Sequence, residues 1–197
     1  MAPGTFGLGD SLMGCGEDSE QALLGRLARG DEAAWEQVFS AHRDRIYGFS
    51  LRMMRNREEA EDVSQEVFLR AVRAIGAFRG EASLNTWLHQ IARNLCVTRL
   101  ATASKSIEEP ADRSWIAALA SDQPGADRTS ASAELREALE LAIGELEPAF
   151  REVILLREFE NQSYDEIARI TETSVATVKT RIFRAREKLK QRLAEFR

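Results

Sequence analysis

A chain of 197 residues, 44% hydrophobic and 30% charged, has the length of one ordinary domain or two small ones and the composition of a soluble globular protein. It has no run of about 18 apolar residues to span a bilayer, and its glycine-rich start, Met1 to Gly16, lacks the basic region and apolar core of a signal peptide. The net charge of −5 is unevenly spread: from Ser174 onward eight basic residues stand against two acidic ones, about +6, which leaves about −11 on the rest.

Taken in chain order, nearly every segment reads as helix. Residues 1–18 read as a flexible tail, and Ser19 as the cap of a short helix to about Ala28. Asp31, after Gly30, caps a second helix to about residue 54, in which Trp35, Val38, Phe39, His42, Ile46, Phe49 and Met53 recur at helical spacing. Arg55-Asn56-Arg57 breaks it. A third helix, about 58–75, places Ala60, Val63, Val67, Ala71 and Ile75 inward, and a fourth, about 84–100, buries some combination of Leu84, Leu88, Ile91 and Leu95. Residues 101–132, with Pro110, Pro124 and Gly125 among Ser, Thr and Asp, read as a flexible linker with at most one helical turn near Trp115 to Leu119. Helical periodicity returns from Ala133 to Leu146. Pro148 opens the next helix at a position where its missing N–H costs nothing, and that helix runs to about Phe159. Ser163 and Glu166 form a capping box for a helix ending near Ile170, and after Thr171-Glu172-Thr173 the final helix starts past Ser174. The expected fold is all-α: two small helical domains, 19–100 and 133–197, joined by the linker. Cys15 and Cys96 make neither a disulfide framework nor a metal spacing, so free thiols in a reducing cytoplasm are expected.

Three constellations carry functional meaning. The last two helices have the layout of a helix-turn-helix. On the final helix Val175, Val178, Ile182, Ala185 and Leu189 fall on one side, with Thr180, Phe183 and Arg184 opposite and Lys179 and Arg181 flanking. A phenylalanine exposed among cations suits a major groove, where it can meet a thymine methyl while Arg and Lys reach guanine O6 and N7. On the third helix Asp62, Gln65, Glu66 and Leu69 share one face at i, i+3, i+4 and i+7; such a face is often merely solvated, but a leucine within it favours a protein interface. In the third constellation, Phe78-Arg79-Gly80-Glu81-Ala82-Ser83-Leu84-Asn85-Thr86-Trp87 followed by Arg93-Asn94 combines aromatics, cations and hydrogen-bonding side chains suited to unstacked bases. Taken alone, Phe78 and Trp87 read more readily as core residues.

Together these segments resemble a known family. Ala60-Glu61-Asp62-Val63-Ser64-Gln65-Glu66-Val67-Phe68, Phe78-Arg79-Gly80, Thr86-Trp87-Leu88 and Ile91-Ala92-Arg93-Asn94 resemble domain 2 of bacterial sigma factors. Leu146-Glu147-Pro148, Ser163-Tyr164-Asp165-Glu166-Ile167-Ala168 and Thr177 through Glu187 resemble domain 4 of the small extracytoplasmic-function type, most of all its envelope-stress branch. The resemblance implies a non-enzymatic, cofactor-free and metal-free subunit that binds core RNA polymerase and directs promoter-specific initiation in the cytoplasm. Asp62, Gln65, Glu66 and Leu69 would dock on the β′ clamp helices, and the other domain would meet the β flap. Phe78, Arg79, Ser83, Asn85, Trp87, Arg93 and Asn94 would hold melted −10 DNA. Lys179, Thr180, Phe183 and Arg184 would read −35 bases, with Ser174, Arg181 and Lys188 at phosphates. It further implies an anti-sigma partner, free or membrane-anchored, and no membrane insertion of this chain.

The sequence departs from the family pattern in places. Thr171-Glu172-Thr173 stands where Leu-Gly-Ile is common, so a left-handed turn residue there would be strained. Thr98 replaces an acidic residue, and the basic cluster beyond it is reduced to Arg99 and Lys105. Three rival readings stand beside this one, of which a pure adaptor without DNA binding leaves the basic final helix unexplained. A conventional helix-turn-helix regulator would bind duplex DNA without core polymerase. A helical enzyme has little support, since His42 and His89 make no ligand spacing and no phosphate loop or nucleophile motif is present. A linker of about 30 residues can stretch to roughly 100 Å, enough for the two helical turns of DNA, about 70 Å, between the elements; as a free coil it averages only about 30 Å. The linker is therefore expected to be drawn out along the polymerase, and the free chain can fold back on itself.

Overall fold

A computed structural model of the chain describes residues 14–103, 114–121 and 130–194. All regular structure among them is helical: α1 Gly14–Ala28, α2 Glu32–Met54, α3 Arg57–Ala74, a 3₁₀ turn Ile75–Ala77, α4 Leu84–Ala103, α5 Ser114–Ser121, α6 Ser130–Glu145, α7 Pro148–Ile154 running into a π-helical turn Leu155–Phe159, α8 Tyr164–Thr171 and α9 Val175–Ala194. Helices α1–α4 form one bundle and α6–α9 a second. The tail before Gly14 and Lys105 lie outside the described residues, while α1 starts ahead of the expected Ser19 cap, α4 runs past Leu100 and α6 starts ahead of Ala133.

The boundaries follow from capping chemistry. Asp31 Oδ1 accepts from the Ala34 N–H at 3.0 Å and starts α2, a cap worth about 1 kcal/mol. At the Arg55-Asn56-Arg57 break, Arg55 turns left-handed (φ 55°) and sends its N–H to Leu51 O, and Asn56 Oδ1 accepts from Glu59 N at 3.1 Å to start α3. Ser83 Oγ accepts from Thr86 N at 3.1 Å, and Glu20 of α1 accepts from Leu84 N at 2.9 Å, so the start of α4 is satisfied by two different elements. The Ser163–Glu166 capping box forms reciprocally at the start of α8. At its end Glu172 is left-handed (φ 55°, ψ 40°), and Thr173 N bonds Ala168 O at 3.0 Å. The strained turn is thus adopted without glycine, braced by Thr171 Oγ1, which donates to Ile167 O and meets Thr173 Oγ1 at 2.9 Å.

The buried apolar residues do not separate into two cores. Val38, Phe49, Val63, Val67 and Leu88 of the first bundle and Val153, Leu156, Ile167, Val178 and Ile182 of the second belong to one contiguous cluster. The bundles pack closed, α4 against α8 and α2 against α6, α7 and the π turn. The helical turn expected near Trp115 is α5, which lies against α2, α3 and α6. Phe39, placed inward by periodicity, is instead 46% exposed and rests edge-on against Phe68 with ring centroids 4.9 Å apart. The inward stripe of α2 is wide, and its rim residue meets solvent once α3 has taken the central contacts.

Candidate nucleic-acid interface

Helix α9 presents the face that periodicity assigned to it. Val178, Ile182 and Ala185 are buried, with Val175 and Leu189 half-buried beside them. On the opposite side Phe183 is 67% exposed, and Lys179, Thr180 and Arg184 are exposed. Among the described residues Arg184 has no ion-pair partner; it lines a shallow surface hollow with Ala149, Phe150, Ala176, Thr177, Thr180 and Arg181. Lys179 Nζ stands 5.8 Å from the centroid of the Tyr164 ring, and Thr180 Oγ1 donates to Ala176 O. Ser174 caps the helix, its Oγ accepting from Thr177 N at 3.1 Å. Lys188 is engaged by Glu147 Oε1 at 2.9 Å, an exposed pair that a competing phosphate could displace at little cost.

On α3, Asp62, Gln65 and Leu69 are exposed on one face. Asp62 lies 3.8 Å from Arg99 Nη1. Glu66 accepts from Arg70 Nε at 2.7 Å, and that hydrogen bond holds its carboxyl below the usual range. Exposed Val72 continues the apolar edge begun by Leu69.

The loop-and-helix element is less open. Phe78 and Trp87 stack on each other with centroids 4.7 Å apart and ring planes 29° apart, half-buried against the core. Arg79 is exposed, while Ser83 Oγ is occupied by Thr86. Asn85 is half-buried, its backbone carbonyl meeting His89 Nδ1 at 2.9 Å. Arg93 reaches Asn94 Oδ1 at 3.1 Å and, across the domain boundary, Glu152 Oε2 at 2.9 Å.

That last contact belongs to a set that sequence reasoning missed. Glu152 on α7 is 2% exposed and pairs with Arg93 of α4 and Arg181 of α9, the latter at 3.3 Å. Arg52 of α2 grips Glu140 of α6 with three contacts of 2.8–3.1 Å and lies 4.2 Å from the Phe159 ring centroid. Arg45 donates to Glu160 Oε2 at 2.9 Å and to its carbonyl, and His89 Nε2 stands 3.1 Å from the same Oε2. Burial pushes the Glu160 carboxyl up, but the His89 ring and the Arg45 guanidinium outweigh it and hold the carboxyl below its ordinary value. Thr86 Oγ1 reaches Gln162 and Glu166, and Arg169 donates to Glu81 O. Arg151 donates to Met53 O at 2.7 Å and to Leu146 O at 2.8 Å; burial, with Arg55 nearby, pushes its guanidinium down to about 10, so it stays charged at neutral pH. A faint sequence signal existed: Glu152 precedes Leu156 by one helical turn, and Arg52 follows Phe49 by three positions, so both are charges in an apolar phase. Cys96 is fully buried and its thiol is pushed up to about 12 by burial, which makes it a poor nucleophile.

The family model described as Sigma-70 region 2 matches residues 38–106, and that described as Sigma-70, region 4 matches residues 136–189. The RNA polymerase sigma-H factor of Pseudomonas aeruginosa is 33% identical over 90% of this chain and 95% of its own length. The ECF RNA polymerase sigma-E factor of Haemophilus influenzae is 32% identical over 89% of this chain and 95% of its own. The chain belongs to the extracytoplasmic-function sigma factors of the sigma-70 family. As such this sigma factor directs promoter-specific transcription initiation. A solved structure of CnrH in complex with the cytosolic domain of CnrY shares the fold, with a TM-score of 0.67 at 24% identity, covering 90% of this chain and 99% of that one. No helix among the described residues is long and apolar enough to cross a membrane.

Proposed function

We propose that this sigma factor divides its work among three faces. Asp62, Gln65, Glu66 and Leu69 dock on the β′ clamp helices of core polymerase, and the C-terminal bundle meets the β flap. Phe78, Arg79, Ser83, Asn85, Trp87, Arg93 and Asn94 hold the unpaired non-template strand at −10, with Phe78 and Trp87 parting to stack on bases. Helix α9 enters the −35 major groove: Lys179, Thr180, Phe183 and Arg184 meet base edges, and Ser174, Arg181 and Lys188 meet phosphates. Residues 19–100 and 133–197 act as the two functional units, with 101–132 spanning between them along the polymerase. The polymerase supplies the chemistry, in the cytoplasm. The observation that carries this reading is the outward face of α9, an exposed phenylalanine and arginine opposite a buried apolar row, on a helix set after a capped helix and a tight turn.

Similarity to the sigma-E factor supports placement in the envelope-stress branch. The capture of CnrH with the cytosolic domain of a second protein supports an anti-sigma partner, itself membrane-anchored, for this chain. The test is transcription from a linear template by core polymerase with and without the purified chain. Transcripts that depend on the chain and on both promoter elements are expected. Binding of duplex DNA with no core-dependent transcript would make the chain a conventional regulator and end this reading.

A further inference from the structure

Trp115 is 2% exposed although it belongs to an eight-residue helix lying between the two bundles. Its seat is made by both of them. Leu51 of α2 and Ala60 of α3 are buried with it, and Tyr47 packs alongside. From the second bundle comes Gly144 of α6, where a Cβ would stand 3.1 Å from Trp115 Cζ2 and 3.2 Å from Arg55 Cδ. Arg55 Nη1 donates to the Gly144 carbonyl at 3.1 Å, and Arg151 donates to the same oxygen and to Met53 O. The indole, Gly144, Arg55 and Arg151 therefore make one joint spanning both bundles. The same closed arrangement sets Glu152 of α7 on Arg93 of α4 and places Gln162 and Glu166 on Thr86.

We propose that Trp115 is a latch: seated in the joint, the linker helix holds the free chain closed, so that Glu152 of the second bundle stands where DNA phosphate would neutralise Arg93 of the first. Drawing the linker out along the polymerase withdraws the indole and lets the bundles separate. The masking half of this inference rests on the reading of Arg93 as a contact to unpaired −10 DNA; the latch half does not. A mostly closed chain binds DNA with an affinity reduced by its open fraction, so releasing the latch strengthens binding without adding a contact.

The experiment uses the full chain without polymerase, in wild type, Trp115→Ala and Gly144→Leu, none of which alters a proposed DNA contact. Trp115→Ala empties the seat, and Gly144→Leu fills it while keeping the indole. Small-angle scattering gives the radius, circular dichroism the helix content, and fluorescence anisotropy the affinity for single-stranded DNA carrying a −10 sequence selected by holoenzyme from a randomised −10 pool. The expected result is a larger radius, unchanged helix content and single-strand binding tighter by on the order of tenfold. A wild-type radius in both variants overturns the latch, and so does loss of helix in both, since Trp115 would then be a core residue of the bundles. A larger radius with no gain in single-strand binding upholds the latch and refutes the −10 reading of Arg93 instead.

Discussion

Replacing Glu140 by alanine should open the chain. The Arg52 and Glu140 side chains are 10% and 7% exposed, and the carboxylate takes three guanidinium contacts. Removing one partner of a buried ion pair costs about 3–5 kcal/mol, because the other charge is left without its counterion away from water. What remains around Arg52 is Gly48 O at 3.3 Å and the Phe159 ring, neither of which neutralises a charge. The penalty exists only while the bundles are closed, since parting them returns the guanidinium to solvent. It therefore falls on the closure equilibrium, as a shift of about 10²- to 5 × 10³-fold toward open chain, and cannot exceed the closure free energy. Scattering should show expansion of Glu140→Ala at a temperature where circular dichroism finds both bundles still helical. The double variant Arg52→Met/Glu140→Leu should recover most of the compactness, because an apolar pair of similar volume replaces a buried ion pair at little net cost. If Glu140→Ala keeps the wild-type radius while its helices stay folded, the pair does not hold the closed state and the reasoning fails.

Arg184→Ala should relax preference at one −35 base pair, by roughly 1–3 kcal/mol, rather than weaken all promoters alike; selection from a randomised −35 pool with holoenzyme checks this, and an unchanged preference refutes base reading by Arg184. Glu172→Gly should raise thermal stability slightly, by about 0.5 kcal/mol, because relief of a left-handed residue worth roughly 1–2 kcal/mol exceeds the added unfolded-state entropy of glycine; a lower melting midpoint would contradict it. Glu160 has a depressed carboxyl, so its contribution to closure is present above the free-carboxylate value of about 4.3 and is lost as pH falls through its lower value in the closed chain. An acid titration of the scattering radius should therefore show expansion that is weaker in Glu160→Gln, which has already lost that contribution at neutral pH.

How much was legible in advance depended on whether a feature was local. Asp31, Ser163 and Glu166 announce their caps because capping involves residues within one turn, and the buried row of α9 is set by one helix's own period. The burial of Glu140, Glu152 and Glu160 is not local. Each is a charged residue whose partners, Arg52, Arg93 and Arg45, lie on the other bundle, and no periodicity links positions so far apart. Trp115 stood in a segment whose composition spoke for a coil, and its seat exists only once α2, α3 and α6 meet. Phe78 and Trp87 were readable as base-stacking residues or as core, and the closed chain finds them stacked on each other, half-buried.

Glu152 holds its two arginines unequally, and this sets an order of events. Arg93 belongs to the other bundle and, on the proposed opening, leaves with it, so the proposed −10 surface is bare as soon as the chain opens. Arg181 shares a bundle with Glu152 and keeps its carboxylate neighbour at 3.3 Å afterwards. Any phosphate arriving at α9 must compete with a resident anion, whereas one arriving at α4 meets an unclaimed cation. Salt should therefore screen the two contacts differently, with the −35 grip the more readily tuned and the −10 grip effectively all-or-none with opening.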